Sequence, residues 1–261
     1  MAGPTLTLAL ETATSRSSVA LTRGSLAGGD VLAEWSLERG RQQQRSLLGT
    51  VARLLRQSGA DWRDLALLAV SLGPGSFTGL RIGLAAAQGL ALALELPLVG
   101  VPTLEALACA AAASGDVCCL LDARRGQVYA GCYRLASGQR PQPLLAPRAC
   151  PPAILASILR QSTPFSPTLP SSAAGERLAG AGRPMLMTGD GAEVYRRQFE
   201  DIAVLQWASP LLARPRAAAV GLLGASIQAA APLAPASSLA PLYLRSSEAE
   251  ETRHRQEGTA G

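Results

Sequence analysis

The chain opens with short apolar runs separated by polar turns, a pattern typical of paired β-strands. Residues 5–10 form an apolar run with β-branched members, a polar turn follows at 11–16, and residues 18–22 form a second run. Two such runs joined by a short polar turn predict a β-hairpin. A third strand is expected at 31–37, so three strands should follow one another at the start of the fold.

The apolar positions then change to a helical period. They recur with the 3.6-residue spacing of an amphipathic helix over residues 47–55, and Gly59 suits the end of that helix. Residues 65–72 are nearly all apolar, which predicts a strand covered on both faces. A helix at 78–95 and a short strand at 97–101 are expected to follow.

The second half repeats the opening of the first. An apolar strand at 117–121 ends in Asp122, a turn with two arginines occupies 123–126, and a strand returns at 127–134. The first hairpin has the same order, with Glu11 as the acid that ends its first strand. This similarity predicts an internal structural repeat.

The remaining apolar stretches predict further alternating elements. In chain order they are a helix at 104–113, a helix at 151–160, a strand at 185–188, a helix at 191–199, a strand at 202–206, a helix at 215–230 and a strand at 242–245. Residues 161–183 are rich in Ser, Pro, Gly and Ala, which indicates a loop or an insertion. The polar residues 246–261 are expected to form a disordered tail.

Two rounds of strands followed by alternating helices predict an α/β fold with two subdomains. Each subdomain is expected to hold a mixed sheet with helices packed on it. We expect an N-terminal subdomain at 1–102 and a second one at 103–210, with the helix near 215–230 as a candidate to complete the first.

Composition supports a globular chain, and its charge leaves two interpretations open. Hydrophobic residues make up 48% and charged residues 16%, while aromatic residues are only 4%, so an aliphatic, alanine-rich core is expected. The net charge of +5 comes from arginine, with no lysine in the chain. A basic balance suits a nucleic-acid partner, but heavy use of Ala, Arg, Gly and Pro without Lys favours codon bias as the explanation.

Membrane insertion and thiol chemistry are not expected. The apolar stretch 82–101 contains Gln88, Glu95 and Pro97, which are unfavourable in lipid, so it is interpreted as a buried helix and a strand. Residues 1–10 do not resemble a signal peptide. The cysteines form no C-x-x-C pair and are odd in number, which indicates reduced core thiols in a cytosolic protein; they are Cys109, Cys118, Cys119, Cys132 and Cys150.

A glycine-rich turn at 73–76 precedes the helix predicted at 78–95. It is not a phosphate-binding Walker loop, because Leu80 and Arg81 follow Gly79 in place of Lys and Ser or Thr. It is not a nucleophile elbow either, because the spacing is not G-x-S-x-G. We interpret it as a tight turn whose helix is capped by Ser76 or Thr78, with anion binding as the alternative.

The same helix carries a row of small residues at every fourth position: Gly79, Gly83, Ala87 and Ala91. Glycine inside a helix costs about 0.5–1 kcal/mol relative to alanine, so a close neighbour should offset that cost. The neighbour could belong to the same subdomain or to another chain, since i±4 rows pack in both settings.

Several of these stretches together resemble the TsaB (YeaZ) family of tRNA threonylcarbamoyladenosine biosynthesis proteins. The most specific is GPGSFTGLRIG at 73–83, supported by LALETATSRSSVAL at 8–21, LPLVGVPTLEALA at 96–108, LLDARRGQVYAG at 120–131 and PLYLR at 241–245. The resemblance implies an actin-like (ASKHA, ribonuclease H-like) fold of two subdomains, each with a mixed sheet flanked by helices. It also implies a cytoplasmic, non-catalytic subunit without a membrane association.

The resemblance further implies a role in modifying adenosine 37 of tRNAs that read ANN codons. The chain would bind and organise the TsaD transferase, together with the ATPase TsaE, or pair with a second copy of itself. Contact with tRNA would be indirect or weak. No cofactor is expected in this chain, with ATP or ADP expected only at an interface of the complex. The expected interface positions are Gly79, Arg81, Ile82, Gly83, Ala86 and Ala87.

Metal and peptidase chemistry are disfavoured. The related TsaD chains carry a His-x-x-x-His metal motif where this sequence has Thr103 and Leu107, and its single histidine is His254. Neither threonine nor leucine is a good metal ligand, so we expect no histidine-liganded metal site and no Ser–His pair.

The acids at the two hairpin turns leave a further alternative. In kinases of this fold, acids at such turns face magnesium and phosphate, so Glu11, Thr12, Asp122 and Gly126 form a candidate vestigial nucleotide site. An autonomous actin-like ATPase or small-molecule kinase is therefore the alternative function. The family more often has Asp at the position of Glu11, and structural turns without nucleotide chemistry are the simpler interpretation.

Overall fold

The computed structural model of the protein describes residues 5–38, 47–112, 114–161, 184–232 and 234–244. The tail predicted at 246–261 and the predicted insertion from residue 162 onward lie outside the described residues.

The first half of the chain forms a five-stranded mixed sheet. Its strands are β1 (Leu6–Glu11), β2 (Arg16–Arg23), β3 (Asp30–Glu38), β4 (Leu67–Gly73) and β5 (Leu98–Pro102). They lie in the order β3-β2-β1-β4-β5, with β1, β2 and β3 antiparallel and with β4 parallel to both β1 and β5. Every residue of β4 is buried, as its continuous apolar sequence predicts.

A second five-stranded sheet repeats this topology. Its strands are β6 (Gly115–Arg124), β7 (Gln127–Leu135), β8 (Gln142–Cys150), β9 (Met185–Thr188) and β10 (Leu205–Trp207). Their order is β8-β7-β6-β9-β10, with the same antiparallel and parallel pairs as in the first sheet. The internal repeat predicted from the two hairpins is therefore confirmed.

Six α-helices in the described ranges cover the sheets. They are α1 (Leu47–Ser58), α2 (Phe77–Leu94), α3 (Thr103–Ala111), α4 (Pro152–Gln161), α5 (Asp190–Val194) and α6 (Ala217–Ala230). Helices α1 and α2 pack on the outer face of the first sheet through a leucine-rich core. Helices α4 and α5 pack on the corresponding face of the second sheet.

Each of the other two helices packs on the sheet formed by the other half of the chain. Helix α3 follows the first sheet but packs on β6 and β7, whereas α6 follows the second sheet but packs on β1, β2 and β4. The two helices also contact each other, so they form a shared layer between the sheets. Helix α6 thus lies on the first sheet and α3 on the second. The boundary between the subdomains predicted at residue 102 stays a prediction.

Close packing of α6 depends on small residues. A Cβ atom placed on Gly224 would lie 2.8 Å from Cβ of Ala69, and one placed on Gly221 would lie 2.5 Å from Oγ1 of Thr22. The strand residues facing α6 include Ala9, Ala20 and Ala69, all fully buried. An alanine-rich core, expected from the composition, therefore lies under α6.

Several elements differ from the sequence-based predictions, among them the strand predicted at 202–206, which is found at Leu205–Trp207. Strand β8 was not predicted, because Pro143 and Pro147 break the strand pattern; both prolines lie in an edge strand, which tolerates them. The helix predicted to reach Phe199 ends at Val194 and continues as a 3₁₀ turn over Arg196–Gln198. No strand is present over the described part of 242–245, where the Leu242 N–H donates a single bond to the Leu72 carbonyl.

Candidate protein-interaction site

The glycine-rich turn connects the end of β4 to the first turn of α2. Ser76 is the N-cap of the helix: its Oγ accepts a hydrogen bond from the Gly79 N–H at 3.3 Å. The Ser76 N–H donates to the Ala13 carbonyl at 2.6 Å, which ties the start of the helix to the turn after β1. Capping by Ser76, one of the two residues expected for this role, is confirmed.

The turn after β1 explains two glycines of the GPGSFTGLRIG motif. A Cβ atom on Gly75 would overlap the carbonyl of Ala13, and one on Gly83 would overlap the hydroxyl of Thr12. Thr12 is buried and lies directly against the second turn of α2. Glycine is therefore needed at both positions to let this turn approach the helix.

The row of small residues on α2 faces the protein's own interior. Gly79, Gly83, Ala87 and Ala91 are all buried, and the helix packs on β4, β1 and β5. The expectation that Gly79, Gly83 and Ala87 contact a partner is therefore corrected. Their spacing correctly identified a closely packed face, but periodicity alone does not say whether that face meets the same chain or another one.

The opposite face of α2 is exposed in the part of the chain that the structure describes. Arg81, Ala85, Gly89 and Leu92 follow one another at helical spacing and are exposed, and Leu92 is 84% exposed. A Cβ atom on Gly89 would have no neighbour within 4 Å. We call these four residues the outward row.

Three of the predicted interface residues remain at this surface. Arg81 is exposed, whereas Ile82 and Ala86 are half-buried beside the outward row. Sequence reasoning missed Ala85, Gly89 and Leu92. Ala85 and Gly89 follow the same four-residue spacing as the small residues, two positions further along the helix, and Leu92 lies three residues after Gly89. That they form a partner-binding surface stays a proposal.

Helix α2 is also the one helix among the described residues with the length and apolar composition to cross a membrane. It instead lies on the first sheet, with 33% of its residues buried, and ends at Leu94 before the buried strand β5. The interpretation of 82–101 as a helix followed by a strand is confirmed.

The C-terminal segment crosses the N-terminal half of α2. The Tyr243 ring stacks on Phe77 with a centroid distance of 5.1 Å, and the Arg81 guanidinium lies 3.9 Å from the Phe77 centroid. Arg81 Nε donates to the Tyr243 hydroxyl at 3.1 Å. Further along the helix, Gln88 Nε2 donates to the carbonyls of Ala236 and Leu239.

The acid of the first hairpin holds its own turn together. Glu11 is fully buried, and its Oε1 accepts a hydrogen bond from the Ala13 N–H at 2.5 Å. Thr12, the next residue, packs against Gly83. Both residues therefore have a structural role in the turn after β1.

The second hairpin uses its acid in the same way. Asp122 Oδ1 accepts from the Arg124 N–H at 2.9 Å and from the Tyr195 hydroxyl at 3.4 Å. The two-residue loop of Arg125 and Gly126 has φ of 52° and 72°, the left-handed geometry that favours glycine at Gly126. Both acids thus bond the backbone N–H two residues further on, and a vestigial nucleotide site at these turns stays a prediction.

Asp190 binds the backbone at the end of the strand that precedes the second hairpin turn. Its Oδ1 accepts a hydrogen bond from the Asp122 N–H at 2.9 Å. Burial raises the pKa of the Asp190 carboxyl, an effect that this backbone hydrogen bond and nearby Arg214 partly oppose. The carboxyl therefore positions β6 relative to the start of α5.

Residues that replace the metal motif of TsaD have structural roles. Thr103 Oγ1 accepts a hydrogen bond from the Gly73 N–H at 3.0 Å, and Leu107 is fully buried in the core under α3. Within the described ranges, no group of three or more His, Cys, Asp or Glu side chains is placed to hold a metal ion.

Four of the five thiols are buried in the core, and Cys109 is partly buried. Cys118 and Cys132 are fully buried, cross-strand neighbours whose sulfur atoms lie 3.2 Å apart. The contact with Cys132 and burial raise the pKa of the Cys118 thiol, and burial raises that of Cys119. Burial also raises the pKa of Cys109 to about 12. Thiols with such raised pKa values are poor nucleophiles at neutral pH.

Comparison with known proteins identifies relatives along most of the chain. The family model TsaD, described as tRNA N6-adenosine threonylcarbamoyltransferase, matches residues 37–253. The tRNA threonylcarbamoyladenosine biosynthesis protein TsaB of Bacillus subtilis is 29% identical over 246 residues, which cover 93% of this chain and 95% of that protein.

The TsaB of Escherichia coli is more similar over a shorter range. It is 44% identical over 125 residues, which cover 47% of this chain and 52% of that protein, so the match spans about half of the relative's length. The solved structure of YeaZ from Pseudomonas aeruginosa superposes with a TM-score of 0.68 at 27% identity, covering 92% of this chain and all of that one.

These matches agree with the fold described above. The two mixed sheets flanked by helices are the two-subdomain α/β arrangement that the resemblance implied. The chain belongs to the family described by the TsaD model and, within it, to the TsaB (YeaZ) proteins.

Proposed function

We propose that this protein is a non-catalytic subunit in the threonylcarbamoylation of adenosine 37 in tRNAs that read ANN codons. It binds and organises a TsaD-type transferase, and a TsaE-type ATPase joins the assembly in the cytoplasm. The names of its relatives, which are tRNA threonylcarbamoyladenosine biosynthesis proteins, support this pathway. Contact with tRNA is made chiefly by the other subunits.

The observation that carries this proposal is the outward row of α2. Small side chains at Ala85 and Gly89 let the backbone of a second helix approach closely. The exposed Leu92 side chain contributes about 1.5–3 kcal/mol if a partner buries it completely. The row is suited to a helix of a TsaD-type chain, and a second copy of this protein is the competing occupant.

A non-catalytic role is supported by the structural contacts of the residues at the candidate nucleotide and metal positions. Glu11 and Asp122 each accept a backbone hydrogen bond within their own turns. Thr103 and Leu107 occupy positions where TsaD chains carry metal ligands, and each is committed to packing or to a backbone bond. We propose that any ATP or ADP used by the complex binds at an interface between subunits.

An arginine on the outward row tests the proposal directly. Ala85→Arg places a long charged side chain where the partner helix should approach, so co-elution with the TsaD-type subunit in size-exclusion chromatography should be lost. The matched control is Ser157→Arg, which adds the same charge to an exposed position of α4 on the other sheet. Unchanged co-elution of Ala85→Arg would show that the outward row is not the interface.

A further inference from the structure

The C-terminal segment from Ala236 to Tyr243, here called the strap, is held by α2 although it contains no β-strand and no α-helix. Gln88 fixes its first half by donating to the carbonyls of Ala236 at 2.9 Å and Leu239 at 3.2 Å. The Leu242 N–H fixes its second half by donating to the Leu72 carbonyl at 2.7 Å. The strap therefore follows α2 from its middle to its N-terminus.

The strap ends in a three-residue stack that uses the charged residue of the outward row. Tyr243 lies on Phe77, and Arg81 lies over Phe77 while its Nε bonds the Tyr243 hydroxyl. Cation–π contacts of this kind contribute about 0.5–1 kcal/mol at exposed sites. Arg81 is thus engaged within its own chain, and its contacts fasten the strap to the helix.

The strap presents large apolar side chains to the outside. Leu242 is 43% exposed and Tyr243 is 44% exposed, next to the first turn of α2, while Leu92 is exposed at the far end of the helix. Ala85 and Gly89 lie between these two ends. The surface therefore has a shallow floor of small residues between apolar side chains, which is the shape that accepts an apolar helix.

We infer that Leu242 and Tyr243 belong to the partner-binding surface, and that Phe77 and Arg81 are positioning residues that hold them there. This inference rests on the proposed function, because it assigns the strap to the surface that binds the TsaD-type chain. The partner's apolar helix would contact the outward row and the strap together. Arg81 would then act through Tyr243 and would not pair with an acid of the partner.

Substitutions in the strap provide the test, with affinity for the purified TsaD-type subunit measured by isothermal titration calorimetry. Tyr243→Ala and Leu242→Ala should each weaken binding about tenfold, as expected for apolar side chains that the partner buries. Leu211→Ala is the matched control, because it removes an 84% exposed leucine from the second half of the chain. Its affinity should equal that of the wild type.

The conservative variant separates positioning from general stability. Tyr243→Phe keeps the ring stack on Phe77 and loses only the hydrogen bond, so it should retain affinity within about threefold. Arg81→Ala should increase the hydrogen exchange of backbone amides in the strap in the isolated full-length chain. It should leave the exchange of β4 amides unchanged, a difference that general destabilisation would not produce.

The outcomes separate this inference from the proposed function. If Ala85→Arg abolishes binding while Tyr243→Ala and Leu242→Ala bind like the wild type, the strap is not part of the surface and the proposed function stands. Tighter binding by Tyr243→Ala would overturn the inference in favour of a strap that the partner displaces. If Ala85→Arg also binds normally, the proposed function itself is wrong.

Discussion

At the scale of single residues, the glycines of α2 have two different roles. Gly83 is buried, and the hydroxyl of Thr12 fills the space that a side chain would need. Gly89 is exposed, and no atom lies near the place of its missing Cβ. Glycine destabilises the helix at both positions relative to alanine. Packing within the chain explains the glycine only at Gly83.

Alanine at these two positions should have opposite effects on stability. Gly83→Ala should lower the free energy of unfolding by about 1–3 kcal/mol, because the new methyl group overlaps Thr12. Gly89→Ala should raise it by about 0.5–1 kcal/mol, because alanine restricts the unfolded chain and nothing opposes its side chain. Urea denaturation followed by circular dichroism measures both values, and stabilisation by Gly83→Ala would refute the packing described here.

Thiol reactivity tests the electrostatics of the core. With a pKa of about 12, Cys109 is ionised in about one molecule in ten thousand at pH 8. Alkylation by iodoacetamide at pH 8 should therefore be far slower in the native protein than in guanidinium chloride, where all five cysteines should react. Rapid native labelling of Cys109, located by peptide mass spectrometry, would contradict this environment.

At the scale of elements, α6 is anchored to the first sheet through one acidic residue. Glu34 of β3 has a side chain only 7% exposed; it pairs with Arg216, and its Oε1 accepts from the Ala218 N–H at 3.0 Å. A carboxylate at the first turn of a helix satisfies a free N–H group and interacts favourably with the helix dipole. This interaction places the helix that joins the two halves.

Loss of this carboxylate should destabilise the protein. Glu34→Ala should lower the free energy of unfolding by about 1.5–3 kcal/mol, the range for hydrogen bonds to charged groups. The control is Glu200→Ala, which removes the exposed partner of Arg196 and should change stability by less than about 0.5 kcal/mol. Equal thermal midpoints for the two variants would contradict the anchoring role of Glu34.

The elements also show what the sequence could and could not predict. The repeat was visible because each half opens with an apolar strand, an acid and a returning strand. Strand β8 was missed because Pro143 and Pro147 break the pattern of a strand, and only the finished sheet shows that they lie at an edge. Periodicity predicted the row of small residues on α2. It could not predict what that row packs against, because Thr12 lies some 70 residues before Gly83 in the chain.

The candidate site was predictable only in part for the same reason. The GPGSFTGLRIG motif located the helix, and Arg81, Ile82 and Ala86 are at its accessible side. The strap contacts could not be predicted, since Arg81 and Tyr243 are 162 residues apart and no local pattern connects them.

At the scale of the whole molecule, the two halves are joined by exchanged helices. Helix α3 and helix α6 each cover the sheet of the other half and contact each other between the sheets. A second contact joins the turn between β2 and β3 to the turn between β7 and β8, where a Cβ atom on Gly138 would lie 3.1 Å from Cα of Ala27. The outer face of α2 lies on the opposite side of the first sheet from this shared layer.

The most direct test of this account is the formation of threonylcarbamoyladenosine on an ANN-decoding tRNA, reconstituted with purified TsaD-type and TsaE-type subunits. We predict full modification with the wild-type protein and with Ser157→Arg, and modification reduced to the level without this subunit for Ala85→Arg. Equal modification in the presence and absence of this protein, or full modification supported by Ala85→Arg, would contradict it.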